Sequence, residues 1–256
     1  MQPLAGRIDL WCTFLGAVDE ALLPRYRAML SAPERLRAAR FHFDRDRRRD
    51  LVTRALVRTV LSRYGAREPQ EWRFSADVHG RPRIDNPLPG LELQFNLSHA
   101  AQMIVLAVSE RAVGVDVETI GREGDIERLE RYFSPAERAA LRSLPAPARR
   151  RRFFELWTLK ESYLKARGVG LRLPLDAFGF EFAGERGLRL SFGPRLADSP
   201  RRWRFWQLAP REDYVVSVCA PRRAGTRLSV REAVPLAWER EREAGVSRST
   251  DAAARA

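Results

Sequence analysis

The order in which helix-like and strand-like segments follow one another constrains the fold of this chain most. A helical apolar pattern over Asp44–Tyr64 is followed by a hairpin-like turn and then by an apolar strand at Met103–Ser109. The same order recurs later, with a helix over Arg152–Arg167 and a strand over Tyr214–Cys219. The repetition predicts an α+β protein with two similar lobes that meet near Val113–Glu118.

These segments predict a first lobe over residues 1–112 and a second lobe over residues 113–238. After residue 238 the chain is charged and rich in Ala and Ser, which predicts a disordered tail over residues 239–256. With 256 residues, of which 45% are hydrophobic, the chain can build a substantial core. That composition excludes a disordered or collagen-like protein.

The apolar segments are too short for a membrane protein, and Met103–Val108 is among the longest of them. The segment Ile8–Val18 is interrupted by Asp9, so it does not resemble a secretory signal. We therefore expect a cytoplasmic protein without membrane association. Cys12 and Cys219 are better interpreted as buried free thiols than as the alternative, one disulfide.

The basic residues carry two signals. Lys and Arg total 46 against 33 Asp and Glu, and the net charge of +13 favours anionic partners. Only Lys160 and Lys165 are lysines, so the other 44 basic residues are arginines. A bias that strong indicates coding pressure towards Arg, which raises the charge without implying a ligand. Lys160 and Lys165 remain lysines despite this bias, and they lie within six residues of each other. Their segment is therefore one where a compact ammonium is needed.

The strand Gly114–Glu118 carries two acidic side chains in an otherwise apolar sequence. Residues two apart on a strand face the same side, so Asp116 and Glu118 project together. Carboxylates this close repel each other unless a cation lies between them, and Mg²⁺ suits such oxygen ligands. The alternative is a strand end that carries two ordinary surface acids.

The segment around the two lysines forms a second candidate site. Trp157, Glu161 and Lys165 are spaced by four and line one face of a helix. A plain Glu–Lys helix pair, worth about 0.3–0.5 kcal/mol, beside a core Trp is the alternative. The bias towards Arg favours a functional interpretation, because a surface pair in this chain would be expected to use Arg.

The strand end Asn96–His99 and the turn His79–Pro82 supply further polar groups. Ser98 and His99 are adjacent and face opposite ways on a strand, so they are no nucleophile pair. His99 suits an anion as a donor, or simply packs, and the histidines have no metal-ligand spacing that would suit zinc. Arg81 offers a guanidinium on a rigid turn, which suits phosphate. Phosphate-loop, dinucleotide-binding and α/β-hydrolase motifs are absent from the sequence.

Taken in order, four motifs resemble those of the 4′-phosphopantetheinyl transferase superfamily, in its larger Sfp-like branch. The resemblance covers about residues 8–236, and Arg81 stands where the family usually has Lys. The four motifs are Gly-Arg-Pro at 80–82, Asn-Leu-Ser-His at 96–99, Gly-Val-Asp-Val-Glu at 114–118 and Trp-Thr-Leu-Lys-Glu-Ser-Tyr-Leu-Lys at 157–165.

The resemblance implies two lobes related by pseudo-twofold symmetry, with coenzyme A in the cleft between them. It implies Mg²⁺-dependent transfer of the phosphopantetheine arm to a serine of an apo carrier protein, with release of adenosine 3′,5′-bisphosphate. Asp116, Glu118 and Glu161 would hold Mg²⁺, and Glu161 is the candidate general base. Carrier proteins are typically acidic around that serine, so the basic surface would steer their encounter. A monomer is expected, because both lobes are already in one chain.

The resemblance also assigns the groups that contact coenzyme A. Lys165 would neutralise the departing nucleotide, a role that suits a point charge on a flexible stem. Glu137 matches an acidic residue of the family whose role the sequence does not define. The residues expected to bind the nucleotide phosphates, or to lie beside the bound coenzyme A, are Arg37, Arg49, Arg81, Ser98 and His99.

Two other classes of protein fit the sequence less well. A basic nucleic-acid-binding protein would cluster its Arg with exposed aromatic residues. Apart from runs such as Arg149–Arg152, the Arg excess is spread along the chain, so we expect no nucleic-acid partner. An inactive homologue that only binds carrier protein or coenzyme A is disfavoured by the intact acidic residues and both lysines.

Overall fold

The computed structural model describes residues 4, 6–78, 80–122, 126–170 and 173–251. His79 of the predicted turn, Asp125 and the last residues of the predicted tail, 252–256, lie outside the described part of the chain. The helices are α1 (Leu23–Met29), α2 (Ala32–Ala38), α3 (Asp44–Leu61), α4 (Ile126–Glu130), α5 (Pro135–Arg142) and α6 (Ala146–Arg167). The strands are β1 (Arg7–Phe14), β2 (Phe74–Ala76), β3 (Pro82–Ile84), β4 (Gln94–Ala100), β5 (Met103–Ser109), β6 (Gly114–Thr119), β7 (Phe178–Ala183), β8 (Gly187–Phe192), β9 (Trp203–Leu208), β10 (Tyr214–Pro221), β11 (Arg227–Val234), β12 (Trp238–Arg242) and β13 (Val246–Ser249).

Two sheets and the long helices form four layers. The first sheet has the order β12-β11-β1-β5-β4, and the second has the order β6-β10-β9-β13-β8-β7. Alternation along the strands sends side chains to two different cores. In β1, for example, Trp11 faces the core under α3, whereas Leu10 faces the core between the two sheets. A third core lies between the second sheet and α6. The predicted α+β fold with two lobes is confirmed.

The predicted disordered tail is wrong for residues 239–251. Strand β12 pairs with β11 in the first sheet, and β13 pairs with β9 and β8 in the second. The sequence of β12, Trp-Glu-Arg-Glu-Arg, is charged because this strand is an exposed sheet edge, where charges prevent pairing with other chains. Its composition therefore resembles that of a solvated tail.

The predicted lobe boundaries need a second correction. Strand β11 lies beside β1 in parallel, with Arg7 opposite Arg227 and Cys12 opposite Glu232. Residues 227–238, assigned from the sequence to the second lobe, and residues 239–242, assigned to the tail, therefore belong to the sheet of the first lobe. Local hydrophobic patterns do not report such pairing between distant segments. Cys12 and Cys219 are both buried and unpaired, as predicted. No helix in the described part of the chain has the length and apolar character that crossing a bilayer requires.

The first lobe contains a buried ion pair beneath its long helix. Ser31 caps α2 and forms a reciprocal capping box with Glu34. The guanidinium of Arg58, a side chain of α3 that is 1% exposed, contacts the same Glu34 carboxylate. The short helix α2 is thereby fastened to α3.

The second lobe repeats this arrangement. Ser134 caps α5 with Glu137 in the same reciprocal box. The ammonium of Lys160, on α6, lies 2.9 Å from Glu137 Oε2, and both side chains are buried. The matching pairs extend the repeat from the order of elements to individual side chains. They also give Glu137 a structural role, which the sequence left undefined.

Candidate functional site: a carboxylate cluster beside a basic cavity

A cavity of about 1050 Å³ opens beside α3 and the end of β4. Its lining includes Arg37, Arg49 and His99, three of the residues predicted to bind coenzyme A. Arg37 pairs with Asp50, and Arg49 NH2 donates to Asp46 Oδ1 at 2.7 Å. The cavity is therefore polar and rich in arginine, and its lining comes from the first lobe alone.

His99 lies where β4 reaches this cavity. Partial burial and the nearby guanidinium of Arg49 lower the pKa of His99. The imidazole is therefore mainly neutral at pH 7. An anion bound beside it would favour the protonated form.

Asp116 is the centre of the carboxylate cluster. It is buried on β6, and its Oδ1 accepts hydrogen bonds from Lys165 Nζ at 2.7 Å and from Ser98 Oγ at 2.8 Å. Its other oxygen, Oδ2, is buried without a hydrogen-bond partner among the described residues. A buried carboxylate oxygen normally has a partner, so this one has the capacity to bind an added ligand. The structure thus joins residues from three of the four sequence motifs.

The carboxyl groups of Glu118 and Glu161 lie in the electrostatic field of Asp116. Burial, followed by the charge of Asp116, raises the pKa of each of them to about 7. Arg122 NH1 donates a hydrogen bond to Glu118 Oε1 across the turn that follows β6. Among the described residues, no three His, Cys, Asp or Glu side chains are gathered closely enough to form a ready metal site. The cations that now neutralise the cluster are Lys165 and Arg122.

Arg81 does not join the other residues predicted to bind phosphate. Its guanidinium donates to the backbone oxygen of Lys165 at 3.0 Å and to that of Val113 at 3.2 Å. Lys165 O is among the carbonyls at the end of α6, and Val113 immediately precedes β6. Arg81 therefore connects the β2–β3 turn of the first lobe to the two elements that carry the carboxylate cluster.

Two further residues fix the position of β6. The side-chain oxygen of Asn96, in β4, accepts a hydrogen bond from Val115 N at 2.9 Å and so joins the edges of the two sheets. Gly114 lies against the backbone of α6, where an added Cβ would come within 2.0 Å of Ser162 O. In the sequence, Asn96 and Gly114 stand out only as members of their motifs. A glycine inside a buried strand signals such a close approach.

Trp157, on α6, packs against the third core rather than extending into solvent. Its ring stacks on Phe153 with centroids 6.0 Å apart and also contacts Phe133. The tryptophan is therefore a packing residue of the third core. Of the three residues spaced by four on α6, Glu161 and Lys165 are the two that bear on the carboxylate cluster.

Comparison with known proteins agrees with this arrangement. Residues 112–219 match the 4′-phosphopantetheinyl transferase superfamily, and residues 20–111 match the 4′-phosphopantetheinyl transferase N-terminal family. The chain is 33% identical over 217 residues to the 4′-phosphopantetheinyl transferase HetI of Nostoc sp. strain PCC 7120, covering 84% of this chain and 88% of that protein. It is 30% identical over 196 residues to the 4′-phosphopantetheinyl transferase Sfp of Bacillus subtilis strain 168, covering 77% and 84% of the two chains.

These matches span both lobes and most of each relative. The chain belongs to the 4′-phosphopantetheinyl transferase superfamily. It carries the acidic strand, the Lys-bearing helix and the Asn-x-Ser-His strand end of the Sfp-like branch in one polypeptide.

Proposed function

We propose that this protein transfers the 4′-phosphopantetheine arm of coenzyme A to a serine of an apo carrier protein, with Mg²⁺ as its metal. One observation carries the proposal. Buried Asp116 contacts both Ser98 and Lys165 and keeps one oxygen without a hydrogen-bond partner among the described residues. Family membership gives the reaction class, and this carboxylate is the point at which the motif residues meet.

The residues present fit Mg²⁺ by the type of their donor atoms, although no three of them are gathered into a ready metal site among the described residues. The donors would be the carboxylates of Asp116, Glu118 and Glu161, and oxygen ligands of this kind suit Mg²⁺. The unpartnered Oδ2 of Asp116 supplies a position for an added cation. The raised pKa values of Glu118 and Glu161 reflect their burial first and then the nearby charge of Asp116. When bound, the metal would neutralise charge on the diphosphate of coenzyme A and stabilise the charge that develops during transfer.

The basic cavity of the first lobe would receive the nucleotide part of coenzyme A. Arg37 and Arg49 provide guanidinium groups, and His99 provides an imidazole that would gain a proton beside phosphate. Ser98 would lie next to the bound coenzyme A, since it contacts Asp116 at 2.8 Å. Arg81 would support β6 and α6, because two of its five donors already contact backbone oxygens of these elements.

The reaction forms a bond between the carrier serine oxygen and the β-phosphorus of coenzyme A. The bond from that phosphorus to the bridging oxygen breaks, and adenosine 3′,5′-bisphosphate leaves with this oxygen. Glu161, whose pKa is about 7, would accept the serine proton directly or through water. Lys165 would neutralise the charge that builds on the leaving group.

The protein partner under this proposal is an acidic apo carrier protein. The net charge of +13 would accelerate its encounter with such a partner. We further propose that the protein acts in the cytoplasm as a monomer, because one chain already contains both lobes, and Ser98 of the first lobe contacts Asp116 of the second.

The test is intact-mass analysis of an apo carrier protein incubated with this protein, coenzyme A and Mg²⁺. We expect the carrier to gain one phosphopantetheine arm, and the gain to disappear with EDTA or with Asp116→Ala. Glu181→Gln, which alters an exposed carboxylate on β7, is the matched control and keeps the activity. Absence of transfer with bound coenzyme A would instead indicate a binding-only homologue. Absence of both transfer and coenzyme A binding would overturn the proposal.

A further inference from the structure

The ammonium of Lys160 is completely buried, and all three of its N–H groups have acceptors. It lies 2.8 Å from Leu175 O, 2.6 Å from Phe178 O and 2.9 Å from Glu137 Oε2. A protonated lysine has three donors, so the site satisfies it fully. Its exposed fraction is 0%, and the nitrogen also lies 4.4 Å from the centroid of the Phe178 ring.

Glu137 extends this contact to other parts of the second lobe. Its Oε2 accepts from Ser134 N at 2.9 Å, and its Oε1 accepts from Phe180 N at 2.9 Å. The Lys160–Glu137 pair therefore fastens α6 to the start of α5 and to the beginning of β7. Removal of either partner would leave the other as a buried, unpaired charge.

The corresponding pair of the first lobe is less completely satisfied. Arg58 donates through NH1 to Pro69 O at 2.9 Å and to Trp72 O at 2.8 Å, and through NH2 to Glu34. Its Nε is buried without a hydrogen-bond partner among the described residues. Both lobes thus use a buried cation in the long helix that holds one carboxylate and two backbone oxygens.

The number of acceptors at the two sites explains why position 160 is a lysine, although 44 of the 46 basic residues are arginines. An arginine has five donors in a rigid planar fork, and three acceptors in a closed site cannot satisfy it. At Arg58 the protein tolerates such a mismatch. At Lys160 there is no such mismatch, and α6 is the helix that carries Glu161 and Lys165.

Position 160 is well placed to determine where those two side chains lie. Successive residues of an α-helix are about 100° apart around the axis, so Lys160 points into the core while Glu161 lies on an adjacent face. The helix also packs against β6 at Gly114, where backbone atoms approach closely. A rotation or shift of α6 would therefore move Glu161 and Lys165 relative to Asp116.

We propose that Lys160, through its pair with Glu137, is a positioning residue that fixes the rotation and axial placement of α6 and thereby aligns Glu161 and Lys165 with Asp116. The inference rests on the proposed transfer reaction for its effect on rate. The effect of Lys160 on the placement of α6 does not depend on that reaction and can be measured without turnover.

The test compares Lys160→Met with the double variant Glu137→Gln/Lys160→Met, which removes both charges together. The double variant avoids the unpaired buried carboxylate and is expected to recover much of the thermal stability lost in the single variant. We expect kcat to fall at least tenfold in both variants, while the KM for coenzyme A changes less than threefold. The matched control is Leu188→Ala, a core truncation in β8 that lowers stability and leaves kcat unchanged.

Amide hydrogen exchange supplies the readout that does not depend on turnover. In both variants, exchange over residues 157–165 of α6 should accelerate at least tenfold, and exchange over α3 should be unchanged. Wild-type kcat in a folded double variant, or unaltered exchange in α6, would overturn the positioning role. If the wild-type protein shows no transfer, the proposed function is refuted. If α6 nevertheless exchanges faster in the two variants, the role of Lys160 in holding α6 still stands.

Discussion

The ammonium nitrogen of Lys165 lies 2.7 Å from Oδ1 of Asp116, so the two most central groups of the cluster form an ion pair. Nζ also donates to Val115 O at 3.1 Å. In the free protein, Lys165 therefore supplies part of the positive charge that a metal would bring. The lysine and the metal would compete for the same carboxylate.

This competition predicts an opposite effect of Lys165→Met on metal binding and on turnover. Removal of the ammonium should tighten the binding of Mn²⁺, used as a Mg²⁺ analogue, by about tenfold, equivalent to about 1.4 kcal/mol. Transfer should nevertheless slow by about 100-fold or more, because the leaving group loses its neutralising charge. Electron paramagnetic resonance titration measures free Mn²⁺, and intact-mass kinetics measure transfer. Weaker metal binding in the variant would contradict the competition.

The raised pKa values of Glu118 and Glu161 predict a pH-dependent stability of the metal-free protein. Each carboxyl retains its proton up to about pH 7 when folded but loses it near its ordinary pKa of 4.5 when unfolded. The folded state binds more protons over this range, so stability should fall as pH rises from about 4.5 to about 7. Glu161→Gln should remove part of this slope and raise Tm at pH 8 by about 2–4 °C.

Differential scanning calorimetry at several pH values, with EDTA present, measures that effect. Glu181→Gln, at the exposed surface of β7, serves as the control and should keep the wild-type slope. An equal slope in Glu161→Gln and wild type would show that Glu161 does not titrate in this way.

The lowered pKa of His99 predicts that coenzyme A binding takes up a proton. Burial and Arg49 keep the imidazole mainly neutral in the free protein, and a bound phosphate would favour its charged form. Affinity should therefore be higher at pH 6.5 than at pH 8.5, and His99→Gln should flatten this dependence. Calorimetric titration in two buffers of different ionisation enthalpy counts the proton. Equal uptake by wild type and variant would assign it to another group.

The contacts of Arg81 predict that even Arg81→Lys is damaging. A lysine retains the charge that a phosphate would need but cannot reach both Lys165 O and Val113 O with a planar fork. We expect kcat to fall about tenfold and Tm to fall by a few degrees, whereas the dissociation constant of coenzyme A changes less than about threefold. A large loss of affinity with unchanged kcat would return Arg81 to the phosphates.

The close contact at Gly114 predicts that even a single added methyl group destabilises the protein. In Gly114→Ala the new methyl would overlap the backbone of α6 at Ser162, and overpacking of this kind costs about 1–3 kcal/mol or more. Thermal denaturation and transfer kinetics should both show a loss. Gly16→Ala is the matched control, because its added Cβ meets nothing within 4 Å.

The sequence predicts those parts of the protein that depend on local patterns. The helical spacing of Glu161 and Lys165 and the strand alternation of Asp116 and Glu118 are local properties, and they point to the cluster directly. The contacts of Arg81 with the second lobe join residues that are 84 and 32 positions apart. No local periodicity reports such a contact.

Strands β11 to β13 illustrate the same limit. Their assignment to two sheets depends on which distant strand each one meets, and the charged sequence of an exposed edge resembles that of a free tail. The Lys160–Glu137 pair is an intermediate case. The bias towards Arg marks position 160 as special, yet only the folded chain identifies its three acceptors.

The parallel pairing of β1 with β11 has a consequence for synthesis of the chain on the ribosome. Strand β1 emerges first, but its neighbour on one side is residues 227–234, which emerge more than 200 residues later. One edge of β1 therefore stays without its β11 partner until the second lobe has been translated. A gene cut between the lobes would yield a first half that lacks both β11 and β12.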